Sequence, residues 1–324
     1  MRSSFTRRAF AAALAICAAS GVLAQGASTY PSQPLRIVVP YPAGGATDTL
    51  ARMVATKLQE SWRQTVVVEN KPGASGTIGN DLVAKAPRDG HTILLGITAI
   101  VQVQSLMPKL PYDALKDLQP LVQVATTNSV LFVPASEPAG TLKEFIAAAK
   151  AHPGKFNYGS YGMGTSSHIQ GSLLNLQAGL DLTHVPYKGA APLLQDLRGG
   201  QLSSAFIDMA TARPHLEYMK ALAVTGSRRN KTLPNVPTFA ELGFHSFEPV
   251  GWFGLFMPTG VPAPIVAKFT AEASRILHMP DVVARIEQLG MTPGELKGDD
   301  FARVVKSDAA VYARIIKDAN IRLE

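Results

Sequence analysis

One cysteine in 324 residues, at Cys17, leaves the rest of the chain without material for a disulfide framework or a cysteine nucleophile. After the first 24 residues, no uninterrupted apolar stretch reaches the roughly 18 residues that a membrane-spanning helix needs. Lysines and arginines never run longer than a pair, so no footprint for nucleic acid or an anionic membrane is present. The Gly-x-Gly-x-x-Gly and Gly-Lys-Ser/Thr phosphate loops are missing, as is the Gly-x-Ser-x-Gly nucleophile elbow. None of the seven histidines stands at metal-ligand spacing from another, so neither a metal nor a cofactor is expected. What is present, 46% apolar residues with 31 basic and 24 acidic side chains, describes a globular protein of one or two domains.

Residues 1–24 read as an export label. Arg2, Arg7 and Arg8 precede an apolar, Ala-rich stretch from Ala9 to Ala19, and small residues end at Val22-Leu23-Ala24, where cleavage is expected. Without those three arginines the balance is 28 basic to 24 acidic, a net +4 spread over about 300 residues. Thr6-Arg7-Arg8-Ala9-Phe10 resembles a twin-arginine signal, with Ala-Ala where Leu-Lys is usual, so Sec and Tat export both stand. Ile16 is too bulky for a lipobox ahead of Cys17, which argues against a lipid anchor. A periplasmic address in turn disfavours ATP or NAD chemistry, because those cofactors are cytoplasmic.

Short β-branched runs alternate with helical periodicity along most of the chain. Strands are predicted at 35–39, 65–69, 92–95, 121–125, 130–133, 156–158, 205–207, 221–225 and 254–257. Leu50, Val54, Leu58 and Trp62 recur at helical spacing from a start near Thr47 or Asp48. Thr141 and Glu144 form a capping-box signature, and Gly179 stops a helix that begins near Ser167. The last third reads helical over 264–278, 281–289 and 299–320. This alternation predicts an α/β fold with mostly parallel sheets. Two apolar, Pro-flanked stretches, Val130 to Pro134 and Glu248 to Pro258, suit strands that carry the chain into a second domain and back.

Three glycine-rich loops stand where chemistry can be placed. Pro40-Tyr-Pro-Ala-Gly-Gly-Ala46 joins a strand to a helix start, offering backbone N–H groups and a helix dipole to an anion, or simply turning tightly. Ser160-Tyr-Gly-Met-Gly-Thr-Ser-Ser-His168 adds hydroxyl donors to the same arrangement. His168, in the first turn of a helix, reads better as a capping or packing residue than as a base. The third loop, Lys71 to Thr77, reads as a plain turn. Asp208 at a strand end is either a cleft carboxylate or a helix cap for Thr211, and Tyr187 either lines a cleft or makes a turn.

Pro34 to Asp48, Val68 to Gly76, Arg88-Asp-Gly-His-Thr92, Gly164-Thr-Ser-Ser-His168, Val185-Pro-Tyr-Lys-Gly189, Leu197-Arg-Gly-Gly-Gln201 and Leu233-Pro-Asn-Val-Pro-Thr238 occur together in one order. In this the sequence closely resembles the Bug (Bordetella uptake gene) family, the extracytoplasmic solute receptors of tripartite tricarboxylate transporters. The resemblance implies a two-domain, type II periplasmic-binding-protein fold with a ligand cleft between domains joined by two crossover strands. Domain 1 would span 25–130 plus 250–324 and domain 2 would span 131–249. It also implies that the first two loops close on a ligand carboxylate through backbone amides and bridging waters. The matching positions are Tyr41, Ala43, Gly44, Asp48, Ser160, Gly164, Thr165, Ser166, Ser167 and His168, with Tyr187 and Asp208 reading the rest of the ligand. Where the family commonly has an Asn-rich stretch with Thr-His, this chain reads Gly96-Ile-Thr-Ala-Ile-Val-Gln-Val-Gln104, which keeps Thr98 as a contact. The loss of polar groups there suggests a more apolar wall and a ligand with a hydrophobic body, such as an aromatic acid.

The expectation is therefore a monomeric periplasmic receptor for a small carboxylate that hands it to the large and small permease subunits of a transporter. No bond would be made or broken. Two rivals stand beside it: the same receptor docking on a sensor kinase, and a secreted hydrolase using Ser166, His168 and Asp208.

Overall fold

The structure, a computed structural model, describes residues 30–107, 109–247 and 250–321. The export label with its cleavage point, and Glu248 and Pro249 at the start of the second Pro-flanked stretch, lie outside the described residues.

In chain order the elements are β1 (Leu35–Val39), α1 (Ala46–Trp62), β2 (Val66–Asn70), α2 (Thr77–Ala84), β3 (Thr92–Ile97), α3 (Ala99–Leu106), α4 (Ala114–Asp117), β4 (Leu118–Thr127) and β5 (Ser129–Pro134). Next come α5 (Leu142–Ala151), β6 (Asn157–Ser160), α6 (Ser166–Ala178), β7 (Thr183–Pro186), α7 (Ala190–Arg198), β8 (Ser204–Asp208), α8 (Met209–Ala212) and β9 (Met219–Val224). The chain closes with β10 (Gly251–Pro258), α9 (Ala263–Leu277), α10 (Pro280–Gln288), β11 (Thr292–Pro293) and α11 (Gly298–Asp318). The capping box at Thr141 and Glu144 opens α5, and Gly179 ends α6 in the left-handed region at φ 60°.

Two sheets result, with strand orders β11-β4-β10-β3-β1-β2 and β7-β6-β8-β5-β9. The expectation of mostly parallel sheets is corrected: both are mixed. β1 pairs with β2 and β3 in parallel, and β6 with β7 and β8, but β10 runs antiparallel between β3 and β4 and β5 antiparallel between β8 and β9. The physical reason lies in the connections. A βαβ unit returns the chain in the same direction, whereas a strand entering directly from the other sheet needs no crossover helix. β1, β3, β5 and β10 lie inside their sheets and are almost continuously apolar because both faces are covered.

The chain leaves the first sheet between β4 and β5 at Asn128, whose Nδ2 donates to the Thr225 carbonyl at 2.6 Å where the chain prepares to return. A single cluster of buried side chains runs from Leu94, Trp252 and Phe301 on the first-sheet side to Leu131, Phe206 and Leu173 on the second. α11 packs on α3 and β4 and also meets α6, which itself lies on β6 and β8. The two halves therefore touch through α6.

Candidate functional site

The first loop is organised by a carboxylate that never leaves it. Asp48, in the first turn of α1 and only 4% exposed, folds back to accept from the Gly44 N–H at 3.0 Å. Arg52 donates to both of its oxygens at 2.9 Å, and Asn70 Nδ2 donates at 3.0 Å while also reaching the Tyr41 carbonyl. Burial raises the Asp48 pKa, but the hydrogen bonds from Arg52, Gly44 and Asn70 outweigh it and the net shift is downward. Asp48 thus stays ionised as the staple of the loop, while Ala43 and Gly44 are exposed and present backbone.

Tyr41 anchors the other end of this loop. Its ring lies against Gly76, where a Cβ would meet the Tyr41 hydroxyl at 3.0 Å, and that hydroxyl donates to the Ser75 carbonyl at 3.5 Å. From Gly73 to Gly76 every φ is positive, at 132°, 47°, 55° and 91°, a run that non-glycine residues such as Ala74 and Ser75 rarely adopt. The loop that reads in sequence as a plain turn is therefore the platform for Tyr41.

The second loop folds its hydroxyls inward as well. Ser160 is buried, with Oγ 2.7 Å from His184 Nε2 and donating to the Gly162 carbonyl at 3.1 Å. Ser167 Oγ accepts from the Tyr161 N–H at 3.0 Å, and Thr165 Oγ1 donates to the Gly162 carbonyl at 2.7 Å. The Gly164 N–H donates to His168 Nδ1 at 3.0 Å. His168 stacks on His184 with ring centroids 4.0 Å apart, and His184 stacks in turn on Tyr158 at 4.9 Å. Burial pushes both imidazoles down to about 4, and for His184 the neighbouring ring adds to the effect, so both are neutral at pH 7. His168 is the packing residue that its helix position suggests.

With these side chains engaged, the two helix starts are left to their backbones. Neither α1 nor α6 carries a side-chain cap, as is also true of α2, α3, α7, α9, α10 and α11, whereas Asp113, Thr141 and Asp208 cap α4, α5 and α8. The first N–H groups of α1 and α6 have no partner within the helix, and the dipole makes both ends attractive to a carboxylate.

Of the other predicted positions, Tyr187 and Asp208 adjoin the second loop, through the Ser160 carbonyl and the Tyr161 hydroxyl, and Thr98 lies on the first sheet. Thr98 is buried with Oγ1 accepting from the Trp252 N–H at 2.8 Å, which ties β3 to β10. Beside it Ile100, Val101 and Val103 are buried, as the apolar face of a packed helix must be. Tyr187 donates to Asp196 Oδ2 at 2.7 Å, and burial followed by that carboxylate pushes its pKa up to about 12. Asp208 is the helix cap: Oδ1 accepts from the Thr211 N–H at 3.0 Å, and Oδ2 accepts from the Tyr161 hydroxyl at 2.8 Å. Ser166, His168 and Asp208, the residues of the hydrolase rival, are each engaged with other partners. The Ser166 Oγ accepts from Gln102 Nε2 at 2.8 Å, a contact that sequence reasoning missed because the partner comes from the other half. Among the described residues no group of three His, Cys, Asp or Glu side chains is placed to hold a metal.

Two α/β halves joined by crossing strands, each offering an uncapped helix start, define the solute-binding-protein class. Residues 50–321 match the model of the tripartite tricarboxylate transporter family receptor. The chain is 38% identical over 313 residues to a UPF0065 protein from the tcbD-tcbE intergenic region of Pseudomonas sp. (strain P51), covering 96% of this chain and 93% of that one. It is 33% identical to protein BugT of Bordetella pertussis over 312 residues, covering 95% and 96%. Among solved structures, R. palustris Rpa4515 with adipate superposes with a TM-score of 0.82 at 32% identity, covering 90% of this chain and 99% of that chain. MatC (Rpa3494) from Rhodopseudomonas palustris with bound malate superposes with a TM-score of 0.78 at 33% identity, covering 89% and 100%. The chain belongs to the tripartite tricarboxylate transporter receptor family, of the Bug type.

Proposed function

We propose that this protein is a periplasmic receptor that captures a small carboxylate between the starts of α1 and α6 and delivers it to the membrane subunits of a tripartite transporter. The observation that carries this reading is a pair of helix starts, one in each half, that follow glycine-rich loops and whose neighbouring carboxylate and hydroxyls are already engaged by protein partners. A site built from backbone N–H groups favours carboxylates as a class and leaves little side-chain code for one of them. The similar structures holding adipate and malate favour dicarboxylates within that class. Residues 1–24 serve as the export signal, and domains of 25–130 plus 250–324 and 131–249 close on the ligand in proportion to its differential affinity for the closed form.

Thermal unfolding of the chain from Gln25 with mono-, di- and tricarboxylates, aromatic acids and acidic amino acids tests this reading. A ligand at a hundred times its Kd adds about 2.7 kcal/mol, a rise of several degrees in midpoint. Ser166→Pro, which keeps a residue favoured at the first helical position but removes one N–H, abolishes the shift. No shift with any acid, together with mass spectrometry showing no ligand retained from expression, overturns the reading.

A further inference from the structure

Gln102 lies on α3, beside the first sheet, and is fully buried. A buried glutamine is costly unless both ends of its amide are bonded, and a leucine of similar volume would fill the space without that cost. Here one end is bonded: Nε2 donates to Ser166 Oγ at 2.8 Å, while Oε1 is buried without a partner. The Tyr312 hydroxyl, on α11, is also buried and lies close to both Gln102 and Ser166. Two elements of the first half therefore converge on the first residue of a helix that belongs to the second. What the glutamine gives in return for its desolvation is direction, since it fixes where α6 begins.

We propose that Gln102 and Tyr312 are positioning residues of the receptor: they clasp Ser166 across the boundary between the halves and set the aim of the amides at the start of α6. The proposal rests on the reading of that helix start as a carboxylate site. Opening the halves breaks the clasp and wets the Gln102 amide; closing them remakes it. Ligand capture and the clasp therefore support one another.

The test uses Gln102→Leu, Ser166→Ala, the double variant and Tyr312→Phe, each checked for an unchanged fold by circular dichroism. Cysteines are introduced as Glu60→Cys and Lys150→Cys, one exposed site on each half, in a chain whose only other cysteine lies in the leader. Spin labels there report the distance between halves without ligand. The expected result is a narrow distribution for the parent and a broader or longer one for Gln102→Leu; an unchanged distribution overturns the proposal. Calorimetric titration with adipate and with malate gives the second reading. Loss of one directed hydrogen bond weakens binding about five- to tenfold. Tyr312→Phe weakens it less, and the double variant loses no more than the worse single one, because both changes remove the same bond. Additive losses, or unaltered affinity in Gln102→Leu, overturn the proposal. A parent protein that binds neither acid counts against the carboxylate site, while the distance measurement still decides the clasp.

Discussion

Acidification from pH 7 to 4 offers a direct reading of the stacked pair His168 and His184. Both have pKa values lowered from 6.5 to about 4 by burial, so between those values the unfolded chain binds protons that the folded one refuses. Stability is therefore full above about pH 6.5, falls as pH drops toward 4, and falls no further from this source below that. At about 1.4 kcal/mol per pH unit, the loss is about 3.5 kcal/mol for one ring and at most about 7 kcal/mol for both. Protonation also removes His168 Nδ1 as acceptor for the Gly164 N–H, so the loss includes the turn that starts α6. Urea denaturation at pH 7, 6, 5 and 4 measures the slope in the parent and in His168→Gln/His184→Gln. Carboxylates common to both proteins cancel in the difference. The parent loses stability more steeply between pH 6.5 and 4 than the double variant, and parallel profiles would refute the argument that burial holds these rings neutral.

Gly171→Ala destabilises by about 1 to 3 kcal/mol, read as a lowered melting midpoint, because its Cβ would sit 2.1 Å from the Tyr158 ring that carries the histidine stack. Asp48→Asn frees Arg52 and weakens the tie to the Gly44 N–H, so ligand affinity falls with little change in the rest of the fold; calorimetry against adipate, beside amide exchange at residues 43–46, separates the two effects. Thr141→Ala, far from the site, costs about 1 kcal/mol in urea denaturation and leaves ligand affinity unaltered.

Periodicity and local chemistry carried much of the fold. The β-branched runs became strands within a few residues, Thr141 with Glu144 became a capping box, and Gly179 became a left-handed helix stop, because each depends on neighbours within one turn or strand. The two strand-to-helix loops proposed to hold a carboxylate were legible for the same reason, since a strand, glycines and a helix start are contiguous in the chain. Strand direction was not, because the antiparallel placement of β5 and β10 follows from the chain leaving the first sheet at Asn128 and re-entering it at β10, long-range events that no local pattern encodes. The division of labour inside the loops was also hidden. Asp48, Ser160 and Ser167 look like ligand contacts in sequence, yet Asn70, His184 and the Tyr161 N–H, brought in by folding, draw them into scaffolding. The bond between Gln102 and Ser166, 64 residues apart, lies furthest from sequence view. By itself the sequence determined which segments could present bare amides to an anion. Only the tertiary structure decided which side chains hold those amides in place, because that depends on partners that meet when the two halves pack.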